Sequence, residues 1–386
     1  MAEIQGSITD DRFSMMADLL ASTLDSDEPV GRDVGASVAV TLGGELVVDI
    51  WGGDVDEAGT APWQSDTITN VWSTTKTMTF LTALTLVERG ELDLYAPVAE
   101  YWPEFAANGK QDIPVRMLFG HTSGVAAWER PIAVEDLYDQ ASSADRLAGQ
   151  APWWEPGTAS GYHALNQGHL IGEVVRRVDG RTLGAVFRED IAEPLGADFH
   201  IGLAESEFDR VSNVIPPPPA EGLMDLADLD PGHPAIKVFT GPAPEASVAW
   251  TSEWRTAEIG AANGHGNARS VARIQAVVAN GGELDGVKLL SPETIELIFD
   301  EQAYGKDLVL QLPVRFGMGY ALPSEGAPHL PEGRIAYWGG WGGSSIVVDC
   351  DRDMTVAYMM NDMQDGLAGD LRSFNLVRAA YDAVAR

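Results

Sequence analysis

Ser73 is followed three residues later by Lys76, and no other serine in the 386-residue chain has a lysine at that distance. Three residues is close to one helical turn. A helix starting at Ser73 therefore sets the hydroxyl and the ammonium on one face, roughly 5–6 Å apart at Cβ. A serine alcohol is a poor nucleophile until a neighbour takes its proton, and a lysine does so once burial draws its pKa of about 10.4 towards neutrality. The N-terminus of the same helix offers free N–H donors and a positive dipole to a developing oxyanion.

The alternative is an N-cap serine with a first-turn surface lysine. Its surroundings argue against that. Val71 and Trp72 make the approach to Ser73 apolar, and Met78, Leu81, Leu84 and Val87 recur behind it at helical spacing. A helix of that pattern is buried, where a solvated lysine is seldom placed.

Two further stretches supply partners. Tyr162, in Gly161-Tyr162-His163-Ala164-Leu165-Asn166, follows the loop Trp153-Trp154-Glu155-Pro156-Gly157 and is expected to head a helix. A phenol near Lys76 shares its proton, serving as base towards Ser73 and later as acid to the leaving group. Asn166 either orients Tyr162 or caps its helix. The stretch Trp338-Gly339-Gly340-Trp341-Gly342-Gly343 enters a strand near the end of the chain. Backbone without side chains lets a ligand approach closely, and the N–H of Trp341 is a candidate second oxyanion donor beside that of Ser73. Taken alone, each stretch also reads as packing or a glycine-rich turn.

The elements that must position these groups are strands at the two ends of the chain with helices between. Gly35 to Ile50 reads as a hairpin turning at Gly43-Gly44, and Asp10 to Leu24 reads as a helix. The nucleophile helix ends at Gly90 in a Schellman turn. From Tyr95 to about Arg269 short helices and loops prevail. His121-Thr122-Ser123-Gly124 closes a short helix begun near Pro114, and amphipathic helices run from Leu165 to Val178 and from Thr182 to Ile191. Pro216 to Pro219 and Pro231 to Pro244 read as irregular. Helices are expected over Ala268 to Asn280 and Pro292 to Phe299, and a last one over Leu367 to Ala385. Between them strands are expected at Gly317 to Tyr320, Ile335 to Trp338, Ser345 to Asp349 and Met354 to Met360. One antiparallel sheet built from both termini, with a helical insertion, follows from this order.

Ser73-Thr74-Thr75-Lys76, Leu118-Phe119-Gly120-His121-Thr122-Ser123-Gly124, Trp154-Glu155-Pro156-Gly157, Tyr162-His163-Ala164, Gly264-His265-Gly266-Asn267-Ala268-Arg269 and Trp338-Gly339-Gly340 occur in this order. With them the chain resembles the serine β-lactamase and penicillin-binding superfamily, in the class C-like branch that includes family VIII carboxylesterases. The likeness covers roughly Val34 to Asn361. It implies an α+β, β-lactamase-like (DD-peptidase) fold. The expected division is a discontinuous sheet domain, 1–94 with 270–386, and a mainly helical domain, 95–269, with the active site between them. It carries over Ser73 as the acylated nucleophile, Lys76 and Tyr162 as the base pair, and the amides of Ser73 and Trp341 as the oxyanion hole. Two departures point away from anionic lactams and towards neutral esters. Ala164 stands where class C enzymes usually carry Asn, and Trp338-Gly339-Gly340 stands where they carry a cationic Lys-Thr-Gly. Trp338, Gly339, Gly340, Trp153, Ala164 and Asn166 are the pocket candidates, with Trp154 and Trp341 as further possible lining.

The remaining composition narrows the choice. Fifty-eight acids against 25 bases give a net charge of −33, which disfavours nucleic acid and anionic membranes as partners. Cys350 is the only cysteine, so no intrachain disulfide forms. Residues 1–12 lack the pattern of a signal peptide and no run suffices for a membrane helix, so a cytoplasmic setting is expected. No Gly-x-Ser-x-Gly, His-Glu-x-x-His or cysteine cluster occurs, and Gly264-His265-Gly266 lacks the rest of a dinucleotide fingerprint. His121 reads as a structural histidine. The expected protein is a serine esterase needing no cofactor or metal and acting on a small-molecule ester. The alternatives are a β-lactamase, a D-Ala-D-Ala peptidase or an acyltransferase of the same chemistry, and, from another class, a non-catalytic binding protein on the same scaffold.

Overall fold

The computed structural model describes residues 2–218 and 229–385. Its centre is a six-stranded antiparallel sheet made of β1 (Ile4–Ile8), β2 (Gly35–Leu42), β3 (Glu45–Gly53), β4 (Ile335–Gly339), β5 (Ser345–Asp349) and β6 (Met354–Met360). The spatial order is β1-β3-β2-β6-β5-β4, so β2 and β6, from opposite ends of the chain, lie side by side at its middle. The β2–β3 hairpin turns on Gly43 and Gly44, both at positive φ, as a two-residue turn matched to the twist of the strands requires.

β6 is buried along its whole length and β2 nearly so, a pattern that demands cover on both faces. Helix α4 (Ala268–Ala279) lies across β2 and β6, its start fixed by a capping box between Asn267 and Ser270. Helices α1 (Met15–Leu24) and α5 (Leu371–Val384) pack on each other and on the sheet.

Helix α2 (Thr75–Glu88) is buried on all sides from Thr75 to Leu86. Five threonines are tolerated there because each hydroxyl finds a carbonyl. Thr75, Thr77, Thr82 and Thr85 donate to carbonyls three or four residues back, and Thr79 donates to Gly260. Gly90, at φ +70, closes α2 as expected, its N–H donating to Val87 while that of Glu91 donates to Leu86. Helix α3 (Asn166–Asp179) packs against α2. A four-stranded small sheet pairs Ile68–Asn70 with His265–Gly266 and Val211–Ser212, holding the approach to α2.

The structure departs from the sequence reading at several places. Ile4–Ile8, for which the sequence reading proposes no element, is an edge strand paired with β3. Gly317 to Tyr320, expected as a strand, is a turn with Gly319 at φ +85, and the strand is Pro313–Phe316, paired with Ala303–Lys306. A short helix, Pro234–Phe239, interrupts the stretch expected to be irregular. The last helix starts at Leu371, with Asp370 as its cap, instead of Leu367. Pro219 lies outside the described residues.

Candidate active site

Ser73 sits in a single 3-10 turn, Trp72–Thr74, that runs into α2, rather than at the head of the α-helix itself. Trp72, just before it, is held at φ +47, costly for a bulky residue. Its ring is clamped between Trp254, at 5.6 Å, and Trp341, at 4.9 Å. The turn is pinned from three sides. Thr75 Oγ1 donates to the Trp72 carbonyl and accepts from Gly264 N–H, Val71 N–H donates to the Gly264 carbonyl, and Ser344 Oγ donates to the Val71 carbonyl.

Lys76 is 1% exposed, and its Nζ lies 3.1 Å from Ser73 Oγ. The same nitrogen donates to the carbonyls of Ala164, at 2.7 Å, and Ala261, at 2.9 Å. Among the described residues it has no carboxylate partner. Burial therefore pushes its pKa well below the ordinary 10.5, because an ammonium cut off from water and counter-charge is costly. As a neutral amine its two N–H bonds go to the two carbonyls, and the lone pair is left facing Ser73 Oγ.

Tyr162 donates its phenol to Ser73 Oγ at 2.9 Å. Its ring stands 4.9 Å from Lys76 Nζ and 5.3 Å from the Trp338 ring. Burial raises the phenol pKa above 10.0, against the Ser73 contact and the Trp338 indole N–H, which favour ionisation, while Asp307 raises it further. Tyr162 does not head a helix. It lies in a loop four residues before α3, and Trp154 packs over the adjoining Gly161, where a Cβ would collide with the indole.

His121 accepts the His163 N–H on Nδ1 at 3.0 Å, and His163 joins Ser123 Oγ at 2.7 Å and the Gly161 carbonyl at 2.6 Å. Burial lowers both imidazoles, His163 to about 4, so the pair braces the tyrosine loop in neutral form.

Trp341 occupies the tight turn between β4 and β5, not a strand. The turn's bonds run from the N–H groups of Gly340, Gly342 and Gly343. The amides of Trp341 and Ser73 donate to no other group among the described residues. Gly340 passes so close to the Ser73 turn that a Cβ would collide with the Val71 carbonyl oxygen and the Ser344 hydroxyl. Behind the turn, buried Arg372 donates to the Gly342 carbonyl at 2.7 Å while paired with Asp33 and Asp370.

Among the pocket candidates, Trp338 stands beside Tyr162, Gly339 and Gly340 lead into the turn, and Ala164 supplies a carbonyl to Lys76. Trp153 points elsewhere. It bonds Glu129, lies under Lys237 at 4.5 Å and lines a separate recess with Trp128, Arg130, Pro231 and Ile236. Asn166 neither caps α3, whose cap position is Leu165, nor bonds Tyr162. It donates to the Val125 carbonyl at 2.7 Å. Sequence reasoning missed the carbonyls of Ala164 and Ala261, which carry no side-chain signature. The one visible hint is the small-residue run Gly260-Ala261-Ala262, which allows close approach to α2. It missed Asp307 and Arg372 as well. Among the described residues no group of three or more His, Cys, Asp or Glu is placed to hold a metal ion, and no helix is long and apolar enough to cross a membrane.

The sequence model of the family described as Beta-lactamase matches residues 25–380. The esterase/beta-lactamase LipL of Mycobacterium tuberculosis is 35% identical over 384 residues, 96% of this chain and 87% of its own. Esterase EstB of Burkholderia gladioli is 30% identical over 390 residues, 93% of this chain and 95% of its own. The crystal structure of a family VIII carboxylesterase matches with a TM-score of 0.91 at 37% identity, covering 99% of this chain and 100% of that one.

Proposed function

The chain belongs to the beta-lactamase family, and from that premise we propose that Ser73, Lys76 and Tyr162 are the catalytic residues of a carboxylesterase. The protein is a serine ester hydrolase. The observation that carries the residue assignment is the double contact at Ser73 Oγ, 3.1 Å from the amine and 2.9 Å from the phenol.

Neutral Lys76 takes the Ser73 proton as Oγ adds to the ester carbonyl carbon. The carbonyl oxygen, now negative, is received by the amides of Ser73 and Trp341. When the tetrahedral adduct collapses, the C–O bond to the alcohol breaks, Tyr162 gives the leaving oxygen its proton, and the proton that Lys76 took passes to the Tyr162 oxygen, so both groups are neutral again before water adds. Water then repeats the sequence on the acyl-enzyme, restoring Ser73. This order makes Lys76 the first base and Tyr162 the donor, since burial disfavours the charged form of each.

Neutral small-molecule esters suit the site. The glycine-rich turn presents no cation to a substrate carboxylate, because Arg372 reaches it from behind and is committed to Asp33 and Asp370. Trp341, half-buried and packed on the Trp72 ring at 4.9 Å, offers an apolar wall. The net charge of −33 disfavours polyanionic partners, and a single unpaired cysteine is compatible with a cytoplasmic setting. The same reading divides the chain into a sheet unit, 1–94 with 270–386, and a helical unit, 95–269, because Ser73 and Trp341 come from the first and Tyr162 from the second.

Purified protein is expected to turn over p-nitrophenyl butyrate with a much higher kcat/KM than nitrocefin. Rapid lactam turnover with no ester turnover would reject the ester assignment. Gly340→Ala, by pushing the turn off Val71, is expected to lower kcat about 100-fold, the usual effect of misplacing a catalytic group by about 1 Å. Steady-state rates with the same ester read this, and a kcat near that of the wild type would remove the turn from the oxyanion site.

A further inference from the structure

Asp307 is a fully buried carboxylate on the loop after strand Ala303–Lys306. Its Oδ1 accepts three main-chain N–H groups: Val309 and Leu310, both at 2.8 Å, and Tyr162, at 3.1 Å. The first two fold its own loop, as any turn-forming Asp would. The third reaches 145 residues back along the chain to the main chain of the residue whose phenol touches Ser73. The neighbouring Leu308 N–H donates to the Ser160 carbonyl at 2.8 Å, so the loop is joined to the tyrosine stretch at two points.

Asp307 Oδ2 is the second observation. It is buried and has no hydrogen-bond partner. A carboxylate oxygen left alone in the interior is costly, and loop folding alone does not require it, since an amide presents the same single acceptor to the three N–H groups. No Lys or Arg pairs with Asp307 among the described residues, so no ion pair offsets its charge, and that charge adds to burial in disfavouring the Tyr162 phenolate.

We propose that Asp307 is the positioning residue of Tyr162: its buried carboxylate fixes the tyrosine's main chain and sets a negative charge beside the tyrosine stretch. Tyr162 thus meets Ser73 as a proton donor, and Lys76 is left as the base. This rests on the assignment of Ser73, Lys76 and Tyr162 given above and adds a fourth residue that touches neither substrate nor Ser73.

The test compares Asp307→Asn and Asp307→Ala with the wild type. Asn keeps the acceptor and loses the charge, whereas Ala loses both. In protein labelled with 13Cζ-tyrosine, the Tyr162 resonance is assigned by its absence in Tyr162→Phe. Its titration in Asp307→Asn is expected to fall by about one pH unit or more, the size of a nearby charge effect. With p-nitrophenyl butyrate, Asp307→Ala is expected to lose about 100-fold in kcat at nearly unchanged KM. Coincident titrations in wild type and Asp307→Asn, including no titration in either, would overturn the proposal, as would an Asp307→Ala kcat close to that of the wild type. The titration needs no turnover, so a wild type inert towards every ester would sink the esterase reading while leaving the placement of Asp307 to be decided by the spectra.

Discussion

Replacing Ser73 by Ala is expected to abolish ester hydrolysis, lowering kcat by about 10⁴–10⁶-fold, the range found when a serine nucleophile is deleted. The deleted atom is the one to which the acyl group bonds, and no second hydroxyl replaces it. Thr74 Oγ1 is turned to Ser344 and Thr75 Oγ1 to the Trp72 carbonyl. The Ser73 hydroxyl bonds only Lys76 and Tyr162 among the described residues, so circular dichroism and Tm should change little. Activity within about tenfold of the wild type would be too small a loss for a nucleophile and would place hydrolysis elsewhere. The comparison is made on p-nitrophenyl butyrate with the enzyme concentration fixed by absorbance.

Lys76→Met is expected to lower kcat by about 10²–10⁴-fold, the usual worth of a general base. Lys76→Arg separates the two roles a lysine can play. A guanidinium keeps the charge but does not release its proton in this range. If Lys76 acts as a base, Arg is as inactive as Met; if it acts as a cation holding Ser73 or an oxyanion, Arg retains much of the activity. The pH profile carries the same information. Burial lowers the Lys76 pKa, so the amine is neutral, and catalysis available, above that lowered value, and activity falls as pH drops through it. Tyr162 is raised above 10.0 by burial, so the donor is lost only on the alkaline side. A plot of kcat/KM should rise through an acid limb well below 10.5 and decline only at alkaline pH. In Lys76→Met the acid limb should vanish. An acid limb unchanged in that variant would assign it to another group.

Much of this site was written into short-range pattern. Ser73 and Lys76 share a face because three residues nearly make a helical turn, and the burial of Lys76 followed from Met78, Leu81 and Leu84. The central strands were legible because their alternation and the Gly43-Gly44 turn are local signals. What escaped is what long-range pairing decides. Ile4–Ile8 has a mostly exposed pattern and becomes a strand only because β3 offers it an edge. Gly317 to Tyr320 has strand-like residues, but Gly319 must pass over the Phe80 ring at positive φ, where a Cβ would clash. Tyr162 is expected at the head of a helix, whereas contacts with His121 and Asp307, distant in sequence, hold it in the loop before α3. The two carbonyls that aim Lys76 belong to Ala164 and Ala261, and a main-chain acceptor leaves no mark on residue type.

The most direct test of the convergence at Ser73 is a crystal structure of the protein after reaction with a fluorophosphonate ester. Phosphorus is expected on Ser73 Oγ, with the phosphoryl oxygen about 2.7–3.1 Å from the amides of both Ser73 and Trp341 and the Tyr162 phenol beside the ester oxygens. Phosphorus on another residue, or a phosphoryl oxygen turned to solvent away from those two amides, would contradict the account.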